Sequence, residues 1–117
     1  MKVAIPETNG IVSGPGEALQ VCIYETDPSS VLLDRYPNPA MNAASARGLI
    51  MIRSALDRGA TVLIVSGAGP HAVDYLGGKA EAFLAPSMTV DQALKAFVAG
   101  NLSRLQHATH NPGDHAH

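Results

Sequence analysis

Five histidines and a single cysteine are the side chains of this 117-residue chain best able to hold a metal. His71 closes the run Val65-Ser66-Gly67-Ala68-Gly69-Pro70-His71. Small residues there let a ligand approach the backbone, and free N–H groups at the start of a following helix favour an anion. A neutral imidazole is the form that ligates metal. Ser66, Gly67, Ala68, Gly69 and His71 are therefore candidate contacts for an anionic, metal-containing ligand. No Lys-Ser/Thr pair follows the glycines, so the run is not a P-loop. The plainer alternative is a strand-to-helix turn that needs only glycine dihedrals.

His107, His110, His115 and His117 gather at the end of the chain. Short histidine-rich tracts bind divalent metals such as nickel, zinc or cobalt. The His107-x-x-His110 spacing would put both rings on one face if a helix continues that far. The competing reading is a tail with accidental histidines. Cys22 stands between Val21 and Ile23 and reads as a small buried hydrophobe in a strand. One thiol cannot form an internal disulfide. Nor can it cage a conventional iron–sulfur cluster, which takes four thiolates.

The remaining composition excludes several functions. The formal charge is −2 and the chain has only 8 Lys and Arg, too few for the basic stripe of a nucleic-acid binder. No run approaches the ~20 apolar residues of a membrane span, and the first residues are too short an apolar stretch for a secretory signal. A cytoplasmic protein is expected. Its hydrophobic content of 46% supplies one core for one domain of this length. Nucleases that hold divalent metals need several carboxylates at strand ends, and here only Glu7 is so placed. No G-x-S-x-G elbow is present, so a hydrolase is excluded as well.

The elements that must position these groups follow from pattern. Lys2–Pro6 reads as a strand, and Glu7–Glu17 as a glycine- and proline-broken loop that opens with Glu7 and Asn9. Leu19–Glu25 and Val31–Tyr36 are two strands around a polar turn, hence an antiparallel hairpin. Asn42 is expected to cap a helix ending at Gly59, with Gly48 inside it marking a close backbone contact. Thr61–Val65 is a strand covered on both faces. A short helix from Pro70 ends at Gly77-Gly78, Lys79–Leu84 is a last strand, and Thr89 with Gln92 forms a capping box before a final helix. The order β-β-β-α-β-α-β-α predicts an α/β fold with a mixed five-stranded sheet. Right-handed crossovers set the first and fourth strands side by side. Ligands favour the loops at such a junction, which are Glu7–Glu17, with Glu7 and Asn9 as candidate cofactor contacts, and Ser66–His71.

With these elements placed, the chain resembles the dinitrogenase iron–molybdenum cofactor biosynthesis family, which includes NifX-like and NafY-like accessory proteins and the C-terminal domain of NifB. The resemblance lies in MKVAIPETNG, CIYET, NPA, RGATVLIVSGAGPHAVDYL and TVDQALKAFVAGNL, and spans residues 1–104. It implies a ribonuclease H-like three-layer fold without nuclease activity. It also implies a non-catalytic accessory protein that binds or carries an iron–sulfur or molybdenum-containing cluster, received from and passed to cluster donor or acceptor proteins. Residues 1–104 would form one NifX-like domain, capable of homo-oligomerisation, and 105–117 a flexible histidine-rich tail. The family often carries a His-Phe-Gly motif in its first loop, where this chain has Ser13-Gly14-Pro15-Gly16. His71 and the tail histidines are then the imidazoles left to meet a metal. Two alternatives stay open: a divalent-metal buffer or chaperone built on the tail, and an interaction module that has lost its ligand site.

Overall fold

Residues 1–109 are described by the structure, a computed structural model. His110, His115 and His117 lie outside the described residues. Strand β1 (Lys2–Thr8) runs through the middle of the molecule, and Val3 to Glu7 are all buried. It ends in a tight turn at Asn9-Gly10, whose backbone adopts φ of 53° and 82°. That left-handed pair closes a two-residue hairpin, so the chain returns as β2 (Ile11–Val12) against Thr8 and Glu7. The expected open loop thus begins as a hairpin.

Strands β3 (Gln20–Glu25) and β4 (Val31–Pro37) form the antiparallel hairpin expected of them. β3 pairs antiparallel with β1, and β5 (Val62–Val65) pairs with β1's other edge in parallel. β6 (Glu81–Leu84) joins β5 in parallel, and β7 (Ser103–Arg104) closes the edge antiparallel. The sheet order is β4-β3-β1-β5-β6-β7, with β2 attached to β1. It is a mixed sheet with two-residue strands added to the five expected ones.

Alternation along the central strands sends side chains to two faces. On one face Ala4, Val21, Ile23, Leu63 and Val65 pack against α1 (Arg47–Asp57) and α2 (Pro70–Leu76) through Met51, Ile52, Ala55, Ala72 and Leu76. On the other, Val3, Ile5, Val62 and Ile64 pack against Val90, Ala93 and Leu94 of α3 (Val90–Val98). Each fully buried aliphatic side chain contributes roughly 1.5–3 kcal/mol. Helix α3 starts as expected: Thr89 Oγ1 accepts from Gln92 N at 3.1 Å and Gln92 Oε1 accepts from Thr89 N at 3.0 Å.

The first helix does not start as expected. Asn42 caps nothing; it ends a 3₁₀ turn, Pro39–Asn42, which Asn38 caps through Oδ1 and the N–H of Ala40 at 3.0 Å. The α-helix begins at Arg47, after Ala46 in the left-handed region at φ 55°. Pro37 and Pro39 fix the chain on either side of Asn38, and a residue before proline avoids the helical region. Asn38 thus takes the capping role, and Ala43 leaves the 3₁₀ turn extended, so the α-helix starts only after Ala46. Gly48 then stands in the first turn instead of mid-helix.

Candidate functional site

The first and fourth long strands, β1 and β5, lie side by side, so the loops leaving their carboxyl ends meet. Ser66 N donates to Ser13 O at 3.2 Å, joining the Glu7–Glu17 segment to the Ser66–His71 turn. The N-terminus of α1 forms the third wall. Here three small residues interlock: a Cβ on Gly16 would lie 3.1 Å from Gly48 N, and one on Gly48 would lie 3.4 Å from Ala72 Cβ. The close contact expected at Gly48 is thus present. Between these walls opens a cavity of about 500 Å³, lined by Pro15–Glu17, Ala46–Leu49 and Gly67–Ala72.

Gly67, Ala68, Gly69 and His71 all line this cavity, and the His71 side chain is exposed to solvent. Ser66 directly follows β5 and is not in the lining. Glu7 and Asn9 do not line it either. The Glu7 carboxylate is buried, accepting from Gly10 N at 2.6 Å, with Cys22 Sγ 4.0 Å away. Asn9 is spent on the β1–β2 turn. Pro15, Gly16 and Glu17 are the loop residues that form the wall.

The turn supplies fewer N–H groups than its sequence suggests. Ser66 N is bonded to Ser13 O, and Pro70 has no N–H. Ala68 N donates to Thr109 Oγ1 at 2.8 Å, while Thr109 N and Oγ1 donate to Ala68 O at 2.9 and 3.2 Å. The chain after β7 therefore does not continue as a helix. Leu105 N donates to Ala82 O at 2.8 Å, and the segment runs along the body to the cavity wall. His107 is exposed on it, and no helix continues through residues 105–109.

Sequence reasoning missed two residues. Asn38 is buried, and its Nδ2 donates to Pro15 O and Ala18 O, each at 2.9 Å. It clamps the first loop in place. Arg47 lines the cavity, with Nη2 donating to the thioether of Met41 at 3.3 Å. Its Nε is buried without a hydrogen-bond partner. An orphaned buried donor costs about 1–3 kcal/mol. Nothing in the local pattern places the helix start at Arg47 rather than after Asn42.

Cys22 is buried away from the cavity, with Arg35 Nε donating to its sulfur at 3.5 Å. Burial pushes the thiol above its ordinary value, and the Arg35 contact pulls the other way. It is a core thiol, shielded from the cavity.

Over residues 1–100 the sequence matches the family described as dinitrogenase iron-molybdenum cofactor. The chain belongs to that family. A solved Thermotoga protein named for NifB is 27% identical, with a TM-score of 0.76 over 94% of this chain and 97% of that one. The apo orange protein of Desulfovibrio gigas shares the fold at 19% identity, with a TM-score of 0.80 over 93% and 96% of the two chains. A dinitrogenase-named protein of Methanocaldococcus jannaschii does so at 18% identity, with a TM-score of 0.69 over 92% and 96%. No curated protein matches the sequence. The family's name ties its members to the iron–molybdenum cofactor.

Proposed function

We propose that this chain is a non-catalytic accessory protein that binds an iron–sulfur or molybdenum-containing cluster and carries it between a donor and an acceptor protein in the cytoplasm. The observation that carries this reading is the meeting of the two loops around His71, which gives a cluster-sized cavity one exposed imidazole. Among the described residues no three His, Cys, Asp or Glu side chains come together to chelate a metal. The cargo would therefore be held by a single side-chain ligand, by shape and by charge. Such a hold suits transfer, because one exchangeable bond leaves the remaining metal sites open to the next protein.

Helices on both faces of the mixed sheet support the ribonuclease H-like description of the fold. Nuclease chemistry is unsupported: Glu7 is the one carboxylate at the end of β1, and it is turned into the core beside Cys22. Among the described residues no helix is long and apolar enough to cross a membrane.

Anaerobic reconstitution with ferrous iron and sulfide tests the reading. The expected product has visible absorption and stoichiometric iron, and His71→Ala loses most of both. Replacing His107, His110, His115 and His117 together with alanine, which keeps the Thr109 contact to Ala68, leaves the cluster in place. Failure of the folded wild-type protein to retain any iron overturns the proposal. Iron that follows the tail and ignores His71 transfers the function to the histidine tract.

A further inference from the structure

We propose that Arg47 is the charge-recognising residue of the cavity, and that the ligand it selects is anionic rather than a bare divalent cation. The inference rests on the cavity being the cargo site, and it names the chemistry by which that site chooses. Three observations carry it. First, Arg47 stands in the lining, in the first turn of α1, and takes part in no ion pair among the described residues. Second, its resting contacts are poor. Nη2 meets only the Met41 sulfur, a weak acceptor, and Nε is buried with no partner at all. A guanidinium left this way gains most from an acceptor that takes two N–H groups at once, as an oxyanion or the sulfide edge of a cluster does. Third, the turn offers only part of its backbone to an anion. Its Ser66 and Ala68 amides are already bonded and Pro70 has none.

Turning the side chain from Met41 toward the cavity would exchange a thioether contact for a charge-assisted pair and give Nε its missing acceptor. The same positive charge repels an unaccompanied divalent cation from His71. Glu17, the acidic side chain of the lining, is exposed, so water weakens its opposing charge.

The test uses the full chain at pH 8 with molybdate and sulfate as probes, two tetrahedral dianions without iron. Titration is followed by calorimetry and by the 1H–15N signal of Arg47 Nε. Saturable binding, a displaced Nε–H signal and weakening affinity with rising salt are expected. Arg47→Gln should lower affinity at least tenfold and Arg47→Lys by less, both with native amide spectra. His71→Ala should stay within about twofold of wild type. Absence of anion binding, or equal binding by Arg47→Gln, overturns the inference. If only one variant folds, the other and the Nε–H signal still decide it. Anion binding that depends on Arg47, in a protein that takes up no cluster, sinks the cargo reading and keeps this one. A cluster held equally well by Arg47→Gln does the reverse.

Discussion

Asn38 shows how a single side chain can set a cavity's shape. Its amide is buried, and it bridges the carbonyls of Pro15 and Ala18 to the N–H of Ala40. Its own N–H also reaches Leu19 O at 2.9 Å. Replacing it with alanine strands two buried carbonyls and one amide that water cannot reach. We expect Asn38→Ala to destabilise the fold by about 3 kcal/mol, at the upper end for buried groups left unpaired. A urea midpoint unchanged from wild type would show that the loop closes by other means. Nothing in the local pattern marks Asn38 as buried; Pro37-Asn38-Pro39 reads as an ordinary chain stop. His71 is the opposite case. Its place after a strand, a glycine turn and Pro70 was enough to put it at the edge of a site.

Between elements, small residues decide how closely the first loop, α1 and α2 approach. Gly16 faces backbone: an added Cβ would meet Gly48 N at 3.1 Å and Arg47 Cβ at 3.2 Å. Gly48 faces side chains at 3.4 and 3.5 Å, which is ordinary contact. Alanine therefore has different consequences at the two positions. Gly16→Ala should cost about 1–2 kcal/mol by overpacking, whereas Gly48→Ala should be close to neutral, since improved helix propensity offsets the tighter fit. Denaturant unfolding of the two variants checks this, and equal losses would contradict it. The Asn9-Gly10 hairpin was also legible, because Asn-Gly is a strong two-residue turn signal. The surrounding glycines and prolines concealed it by making the entire segment resemble a loop. β7 was not legible: Ser103 and Arg104 form a strand only because β6 offers an edge.

For the whole molecule, stability should fall on the alkaline side. Burial raises the Cys22 thiol above its ordinary 9.0 and the Tyr24 and Tyr36 phenols above their ordinary 10.0. Each group then binds its proton more tightly folded than unfolded. Their contribution is complete below the unfolded values and is lost as pH rises through the folded ones. Urea midpoints should decline from about pH 9 upward, and Cys22→Ala should delay the onset toward pH 10, where the tyrosines take over. A flat profile to pH 11 would refute this. The two-faced core makes the prediction global: Tyr36 packs against the α1–α2 cluster and Tyr24 against the α3 cluster, so both layers feel the loss.

Hydrophobic periodicity, glycine and proline punctuation and the capping box determined the strands, the helices and the junction between β1 and β5. These are local signals whose physics acts within a few residues, and His71 with its glycine turn belongs to them. Tertiary structure alone decided what completes the cavity. Arg47 enters because the helix starts only after Ala46, Glu7 leaves because its strand buries it, and Thr109 takes the Ala68 amide from 41 residues away. Each depends on which distant backbone arrives alongside, and that is fixed by sheet order and packing.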